Sequence, residues 1–398
     1  MVLSDNINIA TKKGLCLRCG ACYAVCPVDA ISIDLTTDNY PIVDNLLCTK
    51  CGKCLKVCSG MFPDQQPYAQ KSLLGTVLNA YIGFSNDAKI RRSSASGGLA
   101  TSISCYLLSA GIIDGVILVR GNISNALRNE VIIASTSEEV KSCQGSRYSP
   151  AYVCHRIRNI DMTKRYAFIG KPCDIQSLHK ILTVCPELSK AVIYKIGIFC
   201  HHTPNYKSTD QVIDKFGYNK EFISRIQYRG DGWPGYFKIF DNNGDVVFQE
   251  KYPVIWSKYL LKIPKRCNFC SDCTAESADI SLGDPWNMPQ ENEGGGKNII
   301  LARSRKGEDL IRLLIDNNLI TCVKISLIQV LQSSKSLLKK KNSAAYKIIL
   351  AKIRMNDTPY LKINLHLFFN MAKHISYRVK RIKNIFVSNS SKKDKELV

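Results

Sequence analysis

CLRCGACYAVCP (16–27) is the stretch on which the reading of this chain turns. CTKCGKCLKVCS (48–59) repeats its spacing. Three thiols at i, i+3 and i+6 on one loop can reach three iron corners of a single cubane. The fourth corner is out of reach of the same loop without strain, so each fourth cysteine crosses to the other cluster. The spacing therefore assigns Cys16, Cys19, Cys22 and Cys58 to one 4Fe-4S cluster. Cys48, Cys51, Cys54 and Cys26 go to the other. Gly20 and Gly52 stand between ligands, where backbone N–H groups must come close to cluster sulfur. Pro27 ends the first loop, and Ser59 takes its place in the second, a departure expected to touch no ligand. A zinc site takes four ligands closed as a tetrahedron, often from two separated pairs. Eight cysteines in two identical sets do not fit that arrangement.

The spacing is similar to that of bacterial dicluster ferredoxins. Residues 1–65 are accordingly expected to form a 2×4Fe-4S ferredoxin-type domain, which moves single electrons and selects no substrate. The chain has 398 residues, enough for two or three domains. Its 18 cysteines, many in tight runs, point to metal ligation or redox work in a reducing compartment. No run approaches the ~18 apolar residues of a transmembrane helix, and the N-terminus lacks the apolar core of a signal peptide. The expected location is cytoplasmic. The formal charge is +22, but residues 331–398 carry 16 Lys/Arg against 3 Asp/Glu, or +13 of it. The charge belongs mainly to the tail, and nothing suggests a nucleic-acid recognition module.

Beyond a linker over 61–75, strands and helices alternate, which predicts an α/β domain with a largely parallel sheet. Strands are expected over 112–119, 165–170 and 192–200, with helices over 96–111 and 175–184 and a tight turn at GKPCD. YFKIFDNNGDVVFQEKY (236–252) reads as a hairpin turning at Asn243-Gly244. The expected division is a lobe over 76–165, a second lobe with a third metal site over 166–330, and a basic, helical, looser tail over 331–398.

RCNFCSDC (266–273) offers Cys267, Cys270 and Cys273. A remote fourth ligand could be Cys173 or Cys200, both just after predicted strands, where α/β sheets collect ligands. Either could equally be an ordinary buried cysteine. From Tyr81 to Asn298 the chain resembles the beta subunit of coenzyme F-420 hydrogenase/dehydrogenase, a family related to 7-hydroxymethyl chlorophyll a reductase. SASGGLAT (94–101), QGSRYSP (144–150), FIGKPCD (168–174), IGIFCHH (196–202), YRGDGW (228–233), RCNFC (266–270) and ADISLGDPW (278–286) carry the resemblance. The resemblance implies FAD, a further 4Fe-4S cluster, and electron passage between flavin and clusters. It implies Cys173, Cys200, Cys267 and Cys270 as ligands of the third cluster, with Cys273 as the alternate.

Ser96, Gly97 and Gly98 open a predicted helix whose free N–H groups would favour the flavin. Arg147 could pair with pyrophosphate and Tyr148 could stack on a ring. Lys171 and Asn268 lie beside ligands and could face the flavin. His201 and His202 are candidate proton donors, as imidazoles that titrate near neutrality. The stretch 360–390 mixes apolar and basic residues and could lie peripherally on an anionic bilayer. The function expected is an iron–sulfur flavoprotein oxidoreductase that takes electrons from ferredoxin or a partner redox subunit and reduces an unidentified small molecule. The alternative is a non-catalytic relay subunit of a larger complex.

Overall fold

A computed structural model describes residues 6–34, 39–64, 72–289 and 295–361. The N-terminal module holds a two-stranded antiparallel ribbon, β1 (Ile31–Ile33) and β2 (Pro41–Val43). The main domain is built on an eight-stranded sheet. In chain order its strands are β3 (Asn79–Ser85), β4 (Gly115–Gly121), β5 (Asn129–Ala134), β6 (Tyr166–Gly170) and β7 (Val192–Ile198). A separate antiparallel sheet intervenes: β8 (Ile223–Gln227), β9 (Tyr236–Asp241) and β10 (Val246–Lys251). β11 (Ile280–Gly283), β12 (Asn298–Ala302) and β13 (Ile320–Lys324) then complete the large sheet.

The large sheet runs β13-β3-β12-β11-β7-β6-β4-β5. Its middle, β11-β7-β6-β4, is parallel. Consecutive residues there, such as Val116-Ile117 and Ala167-Phe168, are fully buried. This is the continuous apolar run expected of strands covered on both faces. The edges are antiparallel: β5 on one side, and β12, β3 and β13 on the other. The sheet is thus mixed rather than largely parallel. Among hydrogen-bonded neighbours, only β6 and β7 follow each other through a single crossover helix, Pro172–Val184; a parallel neighbour needs such a crossover, whereas β4 and β5 follow each other as an antiparallel pair.

That crossover helix begins earlier than its sequence suggests. Pro172 is its first residue, and the Asp174 carboxylate accepts the Lys171 backbone N–H at 3.1 Å. GKPCD is therefore the helix start, not a separate turn, because proline at the first position presets the helical φ. The hairpin β9–β10 turns at Gly244, whose φ is +86°.

The N-terminal module is fused to the rest rather than tethered. Ala21, Val25 and Val57 pack with Val153, Cys154, Ile157, Phe168 and Ile175 in one core. Leu15, Cys22, Cys54 and Leu55 share a second core with Phe269, Ala344, Ile348 and Leu361. A fully buried valine contributes about 1.5–3 kcal/mol. The C-terminal segment is also tied down. It forms helices Leu327–Ser333, Lys335–Asn342 and Ala344–Ile353. Two of its lysines are buried: Lys341 pairs with Glu276, and the Lys340 ammonium donates to the His201 carbonyl. Buried cations persist only when paired in this way. Almost all of the 360–390 stretch lies outside the described residues. No helix among the described residues is long and apolar enough to cross a membrane.

Candidate functional site

The two cysteine runs fold alike. Each passes through a left-handed non-glycine residue, Arg18 (φ +57°) or Lys50 (φ +54°). Each then enters a short helix, Ala21–Ala24 or Lys53–Lys56, through a left-handed glycine, Gly20 (φ +81°) or Gly52 (φ +72°). Burial, then the neighbouring Cys58 thiol, pushes Cys16 up to about 12. Burial raises Cys22 as well, followed by Cys16, Cys19 and Cys58. These four thiols are mutual neighbours, so the structure brings the fourth cysteine of the second run to the first trio. Cys54 is raised by burial, with Cys51 and Cys48 beside it, and Cys26 shares its core. Cys16, Cys22 and Cys54 keep their protons in the metal-free chain, and bound iron would take the place of those protons; Cys19 is instead held down to about 7, chiefly by a hydrogen bond from Cys154. All eighteen cysteines are free. The first set, three thiols of one loop with a fourth from the other run, is the donor set that a cubane takes.

β6, β7 and β11 lie side by side and parallel, so their C-terminal ends share one edge. Cys173 follows β6 and Cys200 follows β7. Both line one cavity with Cys267 and Cys270, and Arg18, Arg266 and Lys340 stand in its wall. Three cations around four thiols suit an anionic cluster. Arg266 is buried, and its Nε donates to the Gly60 carbonyl at 2.9 Å, which ties the third thiol set to the N-terminal module. Cys273 does not line this cavity. It is fully buried behind it, its carbonyl accepting the Cys200 N–H at 3.0 Å, and its thiol lowers the pKa of Cys270 by hydrogen bonding.

A cavity of about 640 Å³ opens beside the four thiols. That is within the range of cofactor sites. Cys200, His201, His202 and Thr203 line both cavities and form the wall between them. Ser96, Gly98, Arg147, Tyr148 and Lys171 line the large cavity as the sequence suggests. Gly97 does not; a Cβ there would meet Gly83 and Asn298 at 2.8 Å, so it serves close packing against β3 and β12. Asn268 is exposed and lines neither cavity. Arg147 spends its Nε on Asn129 and Nη1 on the Ile226 carbonyl. Tyr148 stacks on Tyr252 at 5.3 Å and packs on Trp256.

The histidines are not donors poised near neutrality. Burial holds both down to about 4, so they are neutral. His202 Nε2–H donates to the Leu260 carbonyl at 3.0 Å, which leaves its Nδ1 to accept from His201 Nδ1–H at 2.9 Å. His201 Nε2 is then left as an acceptor. Lys171 is half-buried beside Asp174 at 2.7 Å; desolvation opposes its charge, but the carboxylate wins and raises its pKa.

Sequence reasoning missed Tyr252, Trp256, Trp286 and Asn298, which also line the large cavity. The spacing of Tyr252 and Trp256, four apart on one helix, was a usable signal. The Asp284 carboxylate pairs at 2.5 Å with Arg229, a buried guanidinium enclosed by Trp233, Tyr252 and Trp286.

The families described as coenzyme F420 hydrogenase/dehydrogenase, beta subunit N-terminus and C-terminus, match residues 80–157 and 163–327. A 4Fe-4S dicluster domain matches 15–60. One of the subunits of the F(420)H(2) dehydrogenase of Methanosarcina mazei is 25% identical, over 69% of this chain and 78% of its own length. The coenzyme F420 hydrogenase subunit beta of Methanothermobacter thermautotrophicus is 25% identical, over 69% of this chain and 97% of its own. A chain of the F420-reducing [NiFe] hydrogenase complex of Methanosarcina barkeri shares the fold, with a TM-score of 0.56 at 18% identity. It is covered over 98% of its length, and this chain over 74%.

Proposed function

The chain belongs to the family of coenzyme F420 hydrogenase/dehydrogenase beta subunits, and from that premise we propose that it is the electron-relay subunit of a hydrogenase/dehydrogenase-type complex acting on a deazaflavin. In this reading residues 1–65 hold two clusters and 76–165 and 166–330 form the two lobes of the relay. Cys173, Cys200, Cys267 and Cys270 hold a third cluster, and the large cavity takes FAD. Bound clusters would supply one-electron chemistry and a bound flavin would exchange one or two electrons.

The observation that carries the reading is the shared wall Cys200–Thr203. It sets a four-thiol pocket against a cofactor-sized, aromatic-lined cavity, and the Lys171–Asp174 segment also divides between the two, Pro172 and Cys173 on one side and Lys171 and Asp174 on the other. Tyr148, Tyr252 and Trp256 can hold a planar ring, and Lys171 with Asp174 supplies a fixed charge pair at its edge. At the other end Cys51 is exposed among exposed Ile42, Leu46 and Leu47, where a partner subunit can reach. The names of the relatives supply the deazaflavin.

The test is Cys267→Ser in anaerobically isolated protein. The variant is expected to lose one cluster's iron, about four atoms of about twelve. It should keep its flavin, and flavin reduction by way of the N-terminal module should stop. Unchanged iron would remove the ligand assignment. Deazaflavin turnover by the isolated wild-type chain with a chemical reductant would replace the relay reading with a self-contained reductase.

A further inference from the structure

Where the first cysteine run is followed by Pro27, the second is followed by Ser59. Ser59 does touch a ligand, contrary to its reading from sequence. It is 1% exposed, and its hydroxyl donates to the backbone carbonyl of Cys173 at 3.1 Å. The same oxygen lies 2.7 Å from the hydroxyl of Ser177, which is fully buried. Ser177 Oγ in turn lies 3.4 Å from Cys19 Sγ. A chain of three polar links therefore runs from a thiol of the first set to the backbone of a thiol residue of the third set. Proline in place of Ser59 could make neither of the two links that Ser59 makes.

Hydrogen counting gives this junction a direction. Two hydroxyls carry two hydrogens for three links. A ligand thiolate accepts and cannot donate, so the contact with Cys19 is a hydrogen bond only when Ser177 turns its hydrogen there rather than to Ser59; Cys154 is a second donor beside the same sulfur. A donor on a ligand sulfur stabilises the more negative, reduced state of its cluster, and such hydrogen bonds are among the levers that set cluster potential.

The geometry points to Ser59 and Ser177 as positioning residues of a hydrogen-bonded junction that raises the reduction potential of the cluster held by Cys16, Cys19, Cys22 and Cys58 and binds it mechanically to the third thiol set. The inference rests on the cluster reading above. It concerns this chain's own pair of hydroxyls, one from each module, and not the ligands themselves.

The test uses full-length, cluster-loaded protein, with iron counts and potentials followed by electron paramagnetic resonance. The first cluster's signal is identified as the one lost in Cys22→Ala. Ser177→Ala is expected to keep the full iron content while the equilibrium for reducing that cluster falls about tenfold, about 59 mV for one electron. The exchangeable-deuteron coupling seen at that cluster in D2O should weaken. Ser177→Thr, which keeps the hydroxyl, should restore both. Ser59→Ala should shift the potential in the same direction by less, and the second cluster should not move in any variant. Full iron with an unmoved potential and unmoved deuteron coupling in Ser177→Ala overturns the junction. Wild-type protein with about eight iron atoms rather than about twelve overturns the third cluster first, and the junction with it.

Discussion

The two cysteine runs have the same spacing, the same pair of left-handed residues and the same short helix, yet they live in different surroundings. The first lies against the main domain. Gly20 is so close to Tyr152 and His155 that a Cβ would sit 2.8 Å from the Tyr152 carbonyl. Arg18 is 2% exposed and stands in the wall of the third thiol site. The second run faces outward: Lys50 and Cys51 are exposed, and Leu46 beside them is 97% exposed. A duplicated motif thus acquires an inner and an outer end from docking alone. The inner end meets the third thiol set; the outer end is exposed.

The largest expected effect breaks this comparison at the ligands. Cys22→Ser should remove a whole cluster, because no water reaches the vacated corner. Cys51→Ser should keep most of its iron, because its corner is open and oxygen can take the place of sulfur. Iron and acid-labile sulfide counts read the difference, and equal losses would mean the two sites are equally enclosed. A smaller effect lies in the packing. Val57 is fully buried between module and sheet, so Val57→Ala should cost about 2 kcal/mol in denaturant unfolding of the loaded protein. If stability holds, the module is tethered rather than fused. For the same reason, deleting residues 1–65 would bare Val153, Phe168 and Phe269 and is no clean test of electron input. The smallest structural effect is expected at the outer end. Leu46→Asp should leave unfolding and iron content unchanged while slowing reduction by a partner redox protein. An unchanged rate would move the docking face elsewhere.

Much of the site was legible because it rests on local spacing and strand ends. Cys173 and Cys200 follow apolar runs that could only be buried strands, and strands that lie parallel in one sheet gather their C-terminal residues on one edge. Gly98 was legible as a helix start because a left-handed residue there favours glycine. Other residues were illegible for reasons equally physical. Asn268 sits between Cys267 and Cys270 in sequence, but it lies in a short 3-10 turn over Lys265–Phe269 and is exposed. Cys273 keeps the spacing of a ligand but does not line the cavity, and its thiol meets Cys270 instead. The lysines of the C-terminal helices look like a solvated face until two of them are found capping Glu276 and the His201 carbonyl.

The sequence by itself pointed to a dicluster module, to a proposed division of its cysteines between two cubanes, and to an α/β domain after it, because those features depend on spacing within a few residues and on the alternation of apolar runs. Only the tertiary structure decided which thiol set is inner, that Ser59 meets the backbone of Cys173, and that Cys200–Thr203 line both the third thiol pocket and a cofactor-sized cavity. Those facts concern distances between segments more than a hundred residues apart, and the packing of a sheet on a module, not the order of side chains along either, sets such distances.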